Sequence, residues 1–354
     1  MHGDAVPLYF YSDLFLRHPE LRELFPVSMA AQRDRLVHAL ARIVSESTTS
    51  MASAGTCVTW GASTASSGRS PSTTRPCASA LLAMLAHFNG PDWTPELAAD
   101  WKAAYESVAQ VMVEAGAEEA GFRPAFWEGT VLAHELRRFD IATFRVATTE
   151  PLEYMPGQSV SLESPERPRI WRFYSIANAP RDDLTMDFHV RMIDGGTLSM
   201  VLTRGLAVGA QLRVGPPVGE LTYQPGSARD VLLVAGSTGL APLKAIAEQI
   251  SGLPDPPRVH LFFGAQTADG LYDLADLEKM AAGCPWLTVV PAVSHEPGFP
   301  GERGMLHDVL ARSGDWRDHD VYASGPTPMV EATVTQLTAL GVPQCQIQPR
   351  RLRL

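Results

Sequence analysis

The sequence predicts a multidomain protein with a helical domain, an antiparallel β-barrel and a doubly wound α/β domain. Apolar residues recur at helical spacing over 8–44 and again over about 80–115. From about Trp127, short alternating runs such as TFRVAT and QLRVG are broken by Pro and Gly, which is typical of an antiparallel barrel. From about Asp230, apolar strands alternate with helical stretches, as in a doubly wound parallel sheet. We therefore place the three domains at 1–122, 123–228 and 229–354.

Composition and charge limit the possible partners. The net charge of −10 and the absence of a Lys/Arg cluster outside the last few residues argue against nucleic acid. The start of the chain has no signal-peptide pattern, and no run of about 18 apolar residues occurs, so we expect no membrane association and a cytoplasmic location. The four cysteines lack metal-site spacing. Small molecules are the expected partners.

Two glycine-containing turns follow predicted strands of the last domain. VLLVAGSTGLAPLKAI places Gly236 and Gly239 between a buried strand and a helix start, where glycines admit a ligand and free N–H groups suit a pyrophosphate. VYASGPTPMVEATV repeats this pattern with Gly325 and Pro326. An ordinary tight turn remains the alternative for each, but two such turns facing one crevice favour a dinucleotide.

The barrel carries two further candidate sites. In WRFYSIANAP, Arg172 and Tyr174 share one face of a strand beside Ser175, so they could clamp a phosphate and stack on a flat ring. The alternative is a surface arginine beside a core tyrosine. DFHVRMIDGGTLSMVL then supplies Gly196 and Ser199 at a loop-to-helix junction, a second possible phosphate cradle.

These motifs, R-x-Y-S, GG-x-x-S, GSTGLAP and SGP in that order, resemble those of the ferredoxin-reductase family of FAD- and NAD(P)H-binding modules. The resemblance implies that Arg172, Ser175 and Ser199 hold FAD and that Tyr174 packs against the flavin. It also implies a nicotinamide-nucleotide site formed by Gly236, Thr238, Gly239, Gly325 and Pro326.

The chain departs from the family pattern at two places, and a third position bears on the choice of nicotinamide nucleotide. Ser324 replaces the usual Cys, and the end, QPRRLRL, lacks the expected flavin-covering aromatic. Gln266 stands where an Arg would grip a 2′-phosphate, which favours NADH over NADPH.

The helical part, LYFYSDLFLRHPELRELFPVSMAAQRDRLVHALARIV, resembles the globin domain of flavohaemoglobins, bacterial nitric oxide dioxygenases that fuse a globin to such a reductase. The resemblance makes Tyr11 and Gln32 distal hydrogen-bond donors, Phe25 and Leu36 haem-pocket residues, and Glu118 a proximal acid. It also implies a truncated globin-like domain at 1–122. An amphipathic helix with a core tyrosine, and a solvated Glu118, are the alternatives.

The stretch 47–79 does not fit that domain. Sixteen of its 33 residues are Ser or Thr, and it contains no histidine where the resemblance expects the iron ligand, which argues against haem b in this chain. A back-translation read in a shifted frame yields helical patterning with a His from Ser63 and Thr64 and a Tyr from Thr73 and Thr74. We therefore hypothesise a frameshifted stretch, with a genuine insert as the alternative, and predict disorder over about 47–79.

The resemblance implies that NADH reduces FAD, that FAD passes electrons to haem, and that iron-bound oxygen converts nitric oxide to nitrate. NAD(P)H, O2 and NO are the expected partners, and no obligate protein partner is inferred. Two alternatives stay open: a haem-free NADH-dependent flavin reductase, and a non-enzymatic oxygen- or haem-binding globin module.

Overall fold

The computed structural model describes residues 5–24, 74–106 and 124–352. The chain divides into two compact units, one ending at Phe126 and the other beginning at Trp127. Within the described ranges, every helix is too short or too polar to cross a lipid bilayer.

The described part of the first unit is helical. Its elements are α1 (Ala5–Arg17), a 3₁₀ segment (Pro19–Leu24), α2 (Thr74–Asn89), a 3₁₀ turn (Gly90–Asp92) and α3 (95–106). On α1, Phe10 and Leu14 lie one helical turn apart, and they belong to the same buried cluster as Leu81 and Met84 of α2. Helix α1 therefore packs against α2 through an apolar stripe.

Several predictions fall at or beyond the limits of these helices. Phe25, Gln32, Leu36 and Glu118 lie outside the described residues, as does most of 47–79. The last six residues of that stretch, 74–79, form the start of α2, so the predicted disorder does not extend over them. Pro76 is compatible with this position because the first N–H groups of a helix have no intrahelical acceptor.

The second unit starts with the predicted antiparallel barrel. Its strands are β1 (Trp127–Arg138), β2 (Ile141–Thr148), β3 (Ser159–Glu163), β4 (Arg172–Ser175), β5 (Thr185–Arg191) and β6 (Gln211–Val214). They are ordered β4-β3-β6-β1-β2-β5, and an Ile176–Phe188 bridge joins the two edges. Alternation on β2 explains the core: Phe144 and Val146 are buried, whereas Arg145 points outward to Asp187 (2.6 Å).

A parallel sheet follows, with helices on both faces. Its strands are β7 (Asp230–Gly236), β8 (Val259–Ala265), β9 (Leu287–Val293), β10 (Glu302–Arg303), β11 (His319–Pro326) and β12 (Ile347–Leu352). The helices, numbered after α4 (Thr197–Met200) of the barrel, are α5 (Leu240–Ser251), α6 (Leu274–Gly283), α7 (Leu306–Ser313) and α8 (Thr327–Ala339). Residues of α5 and α6 belong to one buried cluster and residues of α7 and α8 to another, which confirms the doubly wound prediction.

The strand order β10-β9-β8-β7-β11-β12 contains a reversal. The chain moves outward from β7 through β8 and β9, then returns to place β11 on the other side of β7. Ligands of open α/β sheets bind at the carboxyl ends of the strands at such a switch point. Both predicted nucleotide turns follow the two strands that meet there.

Candidate functional site

The first nucleotide turn connects β7 to α5. Ser237–Gly239 forms a single 3₁₀ turn, and Ser237 has a left-handed backbone conformation (φ 52°) that a non-glycine residue rarely adopts. A Cβ on Gly239 would lie 2.2 Å from the carbonyl oxygen of Ser324. Gly239 therefore allows the turn to touch the end of β11.

The second turn connects β11 to α8 and lies against the first. A Cβ on Gly325 would lie 2.4 Å from Met329 Cε and 3.0 Å from the carbonyl oxygen of Gly236. A Cβ on Gly236 would in turn lie 3.1 Å from Pro326 Cδ. The structure thus brings Gly236, Gly239, Gly325 and Pro326 together, backbone against backbone, at the switch point.

An unsatisfied buried polar atom lies at the end of β11, beside these turns. Ser324 is fully buried, and its Oγ has no hydrogen-bond partner within the described part of the chain. Thr238, in the adjacent turn, is also buried. A buried hydroxyl without a partner is costly unless a ligand or water completes it. The turns after β7 and β11, whose glycines have no side chains of their own to cover the backbone, and the hydroxyl of Ser324 are compatible with binding of a nicotinamide nucleotide.

The R-x-Y-S strand is β4, at one edge of the barrel sheet. Arg172 is exposed and forms no ion pair with the described residues, and its Nη1 donates to the carbonyl of Trp171 (2.9 Å). Tyr174 packs against the barrel core, and burial raises the pKa of its hydroxyl, which stays protonated. Ser175 is buried and lies opposite Ser159 of β3. An uncompensated guanidinium beside an aromatic ring fits a flavin nucleotide.

The GG-x-x-S loop is closed by its own serine. Ser199 Oγ accepts a hydrogen bond from Ile193 N–H (3.2 Å) and donates to the carbonyl of Gly196 (3.0 Å). A Cβ on Gly196 would lie 2.5 Å from Ser199 Oγ. The serine predicted for the phosphate cradle thus shapes the loop through its hydroxyl.

Two arginines near the site escaped the sequence reasoning. Arg191 ends β5, where its Nε donates to Asp140 (3.0 Å) and its Nη1 approaches Ser237 Oγ (3.5 Å) of the first nucleotide turn. Arg350 of β12 donates to the carbonyl of Gly157 in the barrel (2.8 Å). Neither contact has a local sequence signal, since each joins elements far apart in the chain.

Two predicted positions remain, one in each compact unit. Tyr11 is buried between α1 and α2 in the helical unit. Gln266 is exposed directly after β8, at the carboxyl edge of the sheet, and its carbonyl accepts from His295 N–H (2.8 Å). Its place next to β7 is compatible with contact to a nucleotide ribose.

Comparison with known proteins assigns both domains of the second unit. Residues 128–223 match the oxidoreductase FAD-binding domain, and residues 233–335 match the oxidoreductase NAD-binding domain. The chain is therefore an oxidoreductase with binding domains for FAD and NAD(P)H. FAD and a nicotinamide nucleotide, predicted from the motifs, are confirmed as its cofactors.

Individual relatives indicate to which family of oxidoreductases the chain belongs. The chain is 34% identical over 223 residues to the Pseudomonas putida naphthalene 1,2-dioxygenase system ferredoxin–NAD(P)+ reductase component, covering 61% of this chain and 65% of that protein. It is 30% identical to the solved ferredoxin reductase in carbazole 1,9a-dioxygenase, with a TM-score of 0.59, covering 64% of this chain and 69% of that one. The chain belongs to the ferredoxin–NAD(P)+ reductase family. The names of these relatives run contrary to the expectation of no obligate protein partner, because they describe reductases of oxygenase systems.

One solved structure matches nearly the whole fold. The flavohemoglobin from Malassezia yamatoensis, solved with bound FAD and heme, aligns with a TM-score of 0.80 over 99% of this chain and 95% of that one. The identity is 14%, so this likeness concerns the fold alone.

Proposed function

We propose that this protein is an NAD(P)H-dependent FAD reductase that passes electrons to a separate electron-transfer protein. The observation that carries the proposal is the contact of the two nucleotide turns at the switch point, in the same compact unit as the R-x-Y-S strand. When bound, FAD accepts two electrons from the nicotinamide and can release them one at a time.

The residues of the chain divide the binding work. Arg172 would hold the FAD pyrophosphate, since it has no competing carboxylate in the described chain, and Tyr174 would present its ring to the flavin. The nicotinamide nucleotide has a site of its own. The turn from Gly236 to Gly239 and the start of α5 would receive it. Ser324 Oγ, buried and unsatisfied, would donate to a polar group of that nucleotide. Gln266 lacks the charge that would grip a 2′-phosphate, so NADH is the preferred donor.

The test is anaerobic titration of the FAD-loaded protein with NADH, followed by addition of a ferredoxin or of cytochrome c as acceptor. We expect stoichiometric bleaching of the flavin absorption by NADH and catalytic reduction of the added protein. A flavin that NADH does not bleach would contradict the proposal. Bleaching without reduction of either added protein, and reoxidation of the flavin only after air is admitted, would contradict the protein acceptor.

Nitric oxide dioxygenation is a second candidate, favoured by the whole-chain likeness to a flavohemoglobin fold. In the described part of the helical unit, His18 hydrogen-bonds Glu20 (3.3 Å), and His87 stacks on Tyr9 with ring centroids 4.3 Å apart, so each histidine there is engaged with another side chain. A stoichiometric Soret band that shifts on adding nitric oxide to haem-supplied protein would favour this candidate.

A further inference from the structure

A cationic side chain of the last strand reaches across to the barrel. Arg350 lies on β12, where its register partner on β11 is Ser324. Its Nη1 donates to the carbonyl of Gly157 (2.8 Å), and its Nη2 donates to Ser159 Oγ. The guanidinium therefore lies where the parallel sheet meets the start of β3.

The charge of Arg350 is not neutralised by the described part of the chain. No carboxylate there forms an ion pair with it, whereas its neighbour Arg351 pairs with Glu331 (3.3 Å). The side chain is partly buried, and burial lowers its pKa, although a guanidinium remains charged at neutral pH. A desolvated cation without a counter-charge is unfavourable, so its retention points to an anionic partner.

The guanidinium also has unused donors. A guanidinium carries five N–H groups, and the acceptors found for Arg350 are one carbonyl and one hydroxyl. The remaining N–H groups can meet an anion without breaking either bond. Both acceptors belong to the barrel: Gly157 lies in the loop before β3, and Ser159 is the first residue of that strand. The barrel therefore fixes the orientation of the guanidinium.

The position of Arg350 along the barrel strands indicates which part of FAD it would face, the pyrophosphate or the flavin ring. Ser159 faces Ser175, the last residue of the R-x-Y-S strand. Arg172, proposed to hold the pyrophosphate, lies three residues earlier, roughly 10 Å along the strand. The register partner of Arg350 is Ser324, in the nicotinamide turn. The cation thus lies at the end of the site where a flavin ring and a nicotinamide would meet, away from the phosphate end.

We propose that Arg350 holds its positive charge against the flavin ring and stabilises the negative charge that the ring gains on two-electron reduction. The nicotinamide supplies two electrons and one proton, which leaves one negative charge on the ring, and Arg350 itself forms and breaks no covalent bond. The residue is a positioned charge that makes the flavin easier to reduce. This inference rests on the proposed FAD site.

The experiment measures the flavin reduction potential of the FAD-loaded protein by equilibration with redox dyes. Arg350→Gln keeps N–H donors without the charge, and Arg350→Lys keeps the charge. Arg351→Met removes a cation from the adjacent position, on the opposite face of the same strand, and serves as the control. We expect R350Q to lower the equilibrium constant for reduction at least tenfold, which is about 30 mV for a two-electron couple. In R350K the reduction potential should fall by less than half as much as in R350Q. In R351M it should equal that of the wild type.

Unfolding temperatures of the apo proteins provide an independent readout. The two bonds to Gly157 and Ser159 come from two different guanidinium nitrogens, and neither glutamine nor lysine has two such nitrogens, so R350Q and R350K should be destabilised alike although their potentials differ. If R350Q does not fold, Ser159→Ala removes one acceptor and should give a smaller shift of potential in the same direction.

Two results would overturn the inference while leaving the proposed function intact: an unchanged potential in R350Q, or equal potentials in R350Q and R350K. An unchanged potential together with equally weakened binding of oxidised and reduced FAD would place Arg350 at the pyrophosphate. Failure of the wild-type protein to bind FAD would overturn the proposed function itself, and the inference with it.

Discussion

Gly239 is the residue with the least room for change in the nucleotide turn. Any Cβ there would lie 2.2 Å from a backbone oxygen of β11, which cannot move without separating the two turns. We expect Gly239→Ala to slow flavin reduction by NADH more than tenfold and to cost about 1–3 kcal/mol in the free energy of unfolding. Stopped-flow reduction and urea unfolding measure the two effects.

The matched control is Gly252→Ala at the other end of α5. A Cβ on Gly252 would meet Gln249 O at 3.5 Å, which is ordinary contact, and its φ is −84°. This variant should reduce its flavin at the wild-type rate. Equal rates in both variants would mean that the approach of the turns does not shape the nucleotide site.

Arg172 gives a prediction with little structural cost, because it is exposed and forms no ion pair in the described chain. Arg172→Met should weaken FAD binding at least tenfold, since a charge-assisted hydrogen bond contributes about 1.5–3 kcal/mol. The unfolding temperature of the apo protein should not change. Arg167→Met, at another exposed arginine of the barrel, is the control, and fluorescence titration with FAD is the measurement.

The glycines of the two nucleotide turns could be predicted from the sequence, but the contacts of Arg350 and Arg191 could not. A glycine between a buried strand and a helix has a local cause that the sequence displays. The direction of an arginine side chain depends on which distant strand lies beside it. Ser199 shows the intermediate case: the motif located the loop, but the two bonds of its hydroxyl follow from the folded backbone.

At the scale of elements, α5 is tied to the segment before α6 by a buried ion pair. Lys244 Nζ lies 2.6 Å from Asp273 Oδ2, and the Asp273 side chain is 1% exposed. Lys244→Met leaves this carboxylate without its cation, so we expect a loss of about 3–5 kcal/mol in the free energy of unfolding. Urea unfolding measures it.

The pair Lys279–Asp276 offers a comparison on α6, because Lys279 is 79% exposed and Asp276 keeps a second partner, Arg137 (2.9 Å), when Lys279 is removed. Lys279→Met should change the free energy of unfolding by less than about 1 kcal/mol, because exposed ion pairs are weak. The double variant Lys244→Met, Asp273→Asn should recover part of the loss by removing the uncompensated charge. A Lys244→Met protein as stable as Lys279→Met would show that Asp273 finds other compensation.

The elements themselves were predictable because their periods differ. The alternation of TFRVAT and the uninterrupted apolar run VLLVA correspond to a half-exposed barrel strand and a fully buried parallel strand. The strand order was not predictable, since the place of β11 beside β7 depends on a return across the sheet. For the same reason, the contact between the two turns became visible only in the fold.

For the second unit as a whole, acid should weaken the attachment of the barrel to the α/β domain. His189 of β5 is buried, and its Nδ1 lies 2.8 Å from Tyr272 Oη of the α/β domain. Burial lowers the pKa of His189 from 6.5 to about 4. The unfolded chain therefore binds a proton below pH 6.5 that the folded chain does not bind until about pH 4.

This contribution of His189 to stability is fully present above the unfolded pKa and falls as pH decreases through the window from 6.5 to about 4. We expect a loss of about 2 kcal/mol between pH 7 and pH 5. His189→Gln, which keeps a side chain able to bond Tyr272, should flatten this dependence. Urea unfolding at both pH values tests it, and an equally steep loss in the variant would assign the effect to other groups.

The position of β11 has a consequence for the order of events during synthesis. The barrel and β7 leave the ribosome well before β11, which must insert beside β7 to complete the crevice, and Arg350 meets Gly157 across a separation of 193 residues. Domains generally fold as their segments emerge, N-terminal first. A nascent chain that has released only β7 through β10 therefore presents half a nucleotide site. NADH should not protect such an intermediate from proteases, and protection should appear only once translation has delivered the last two strands.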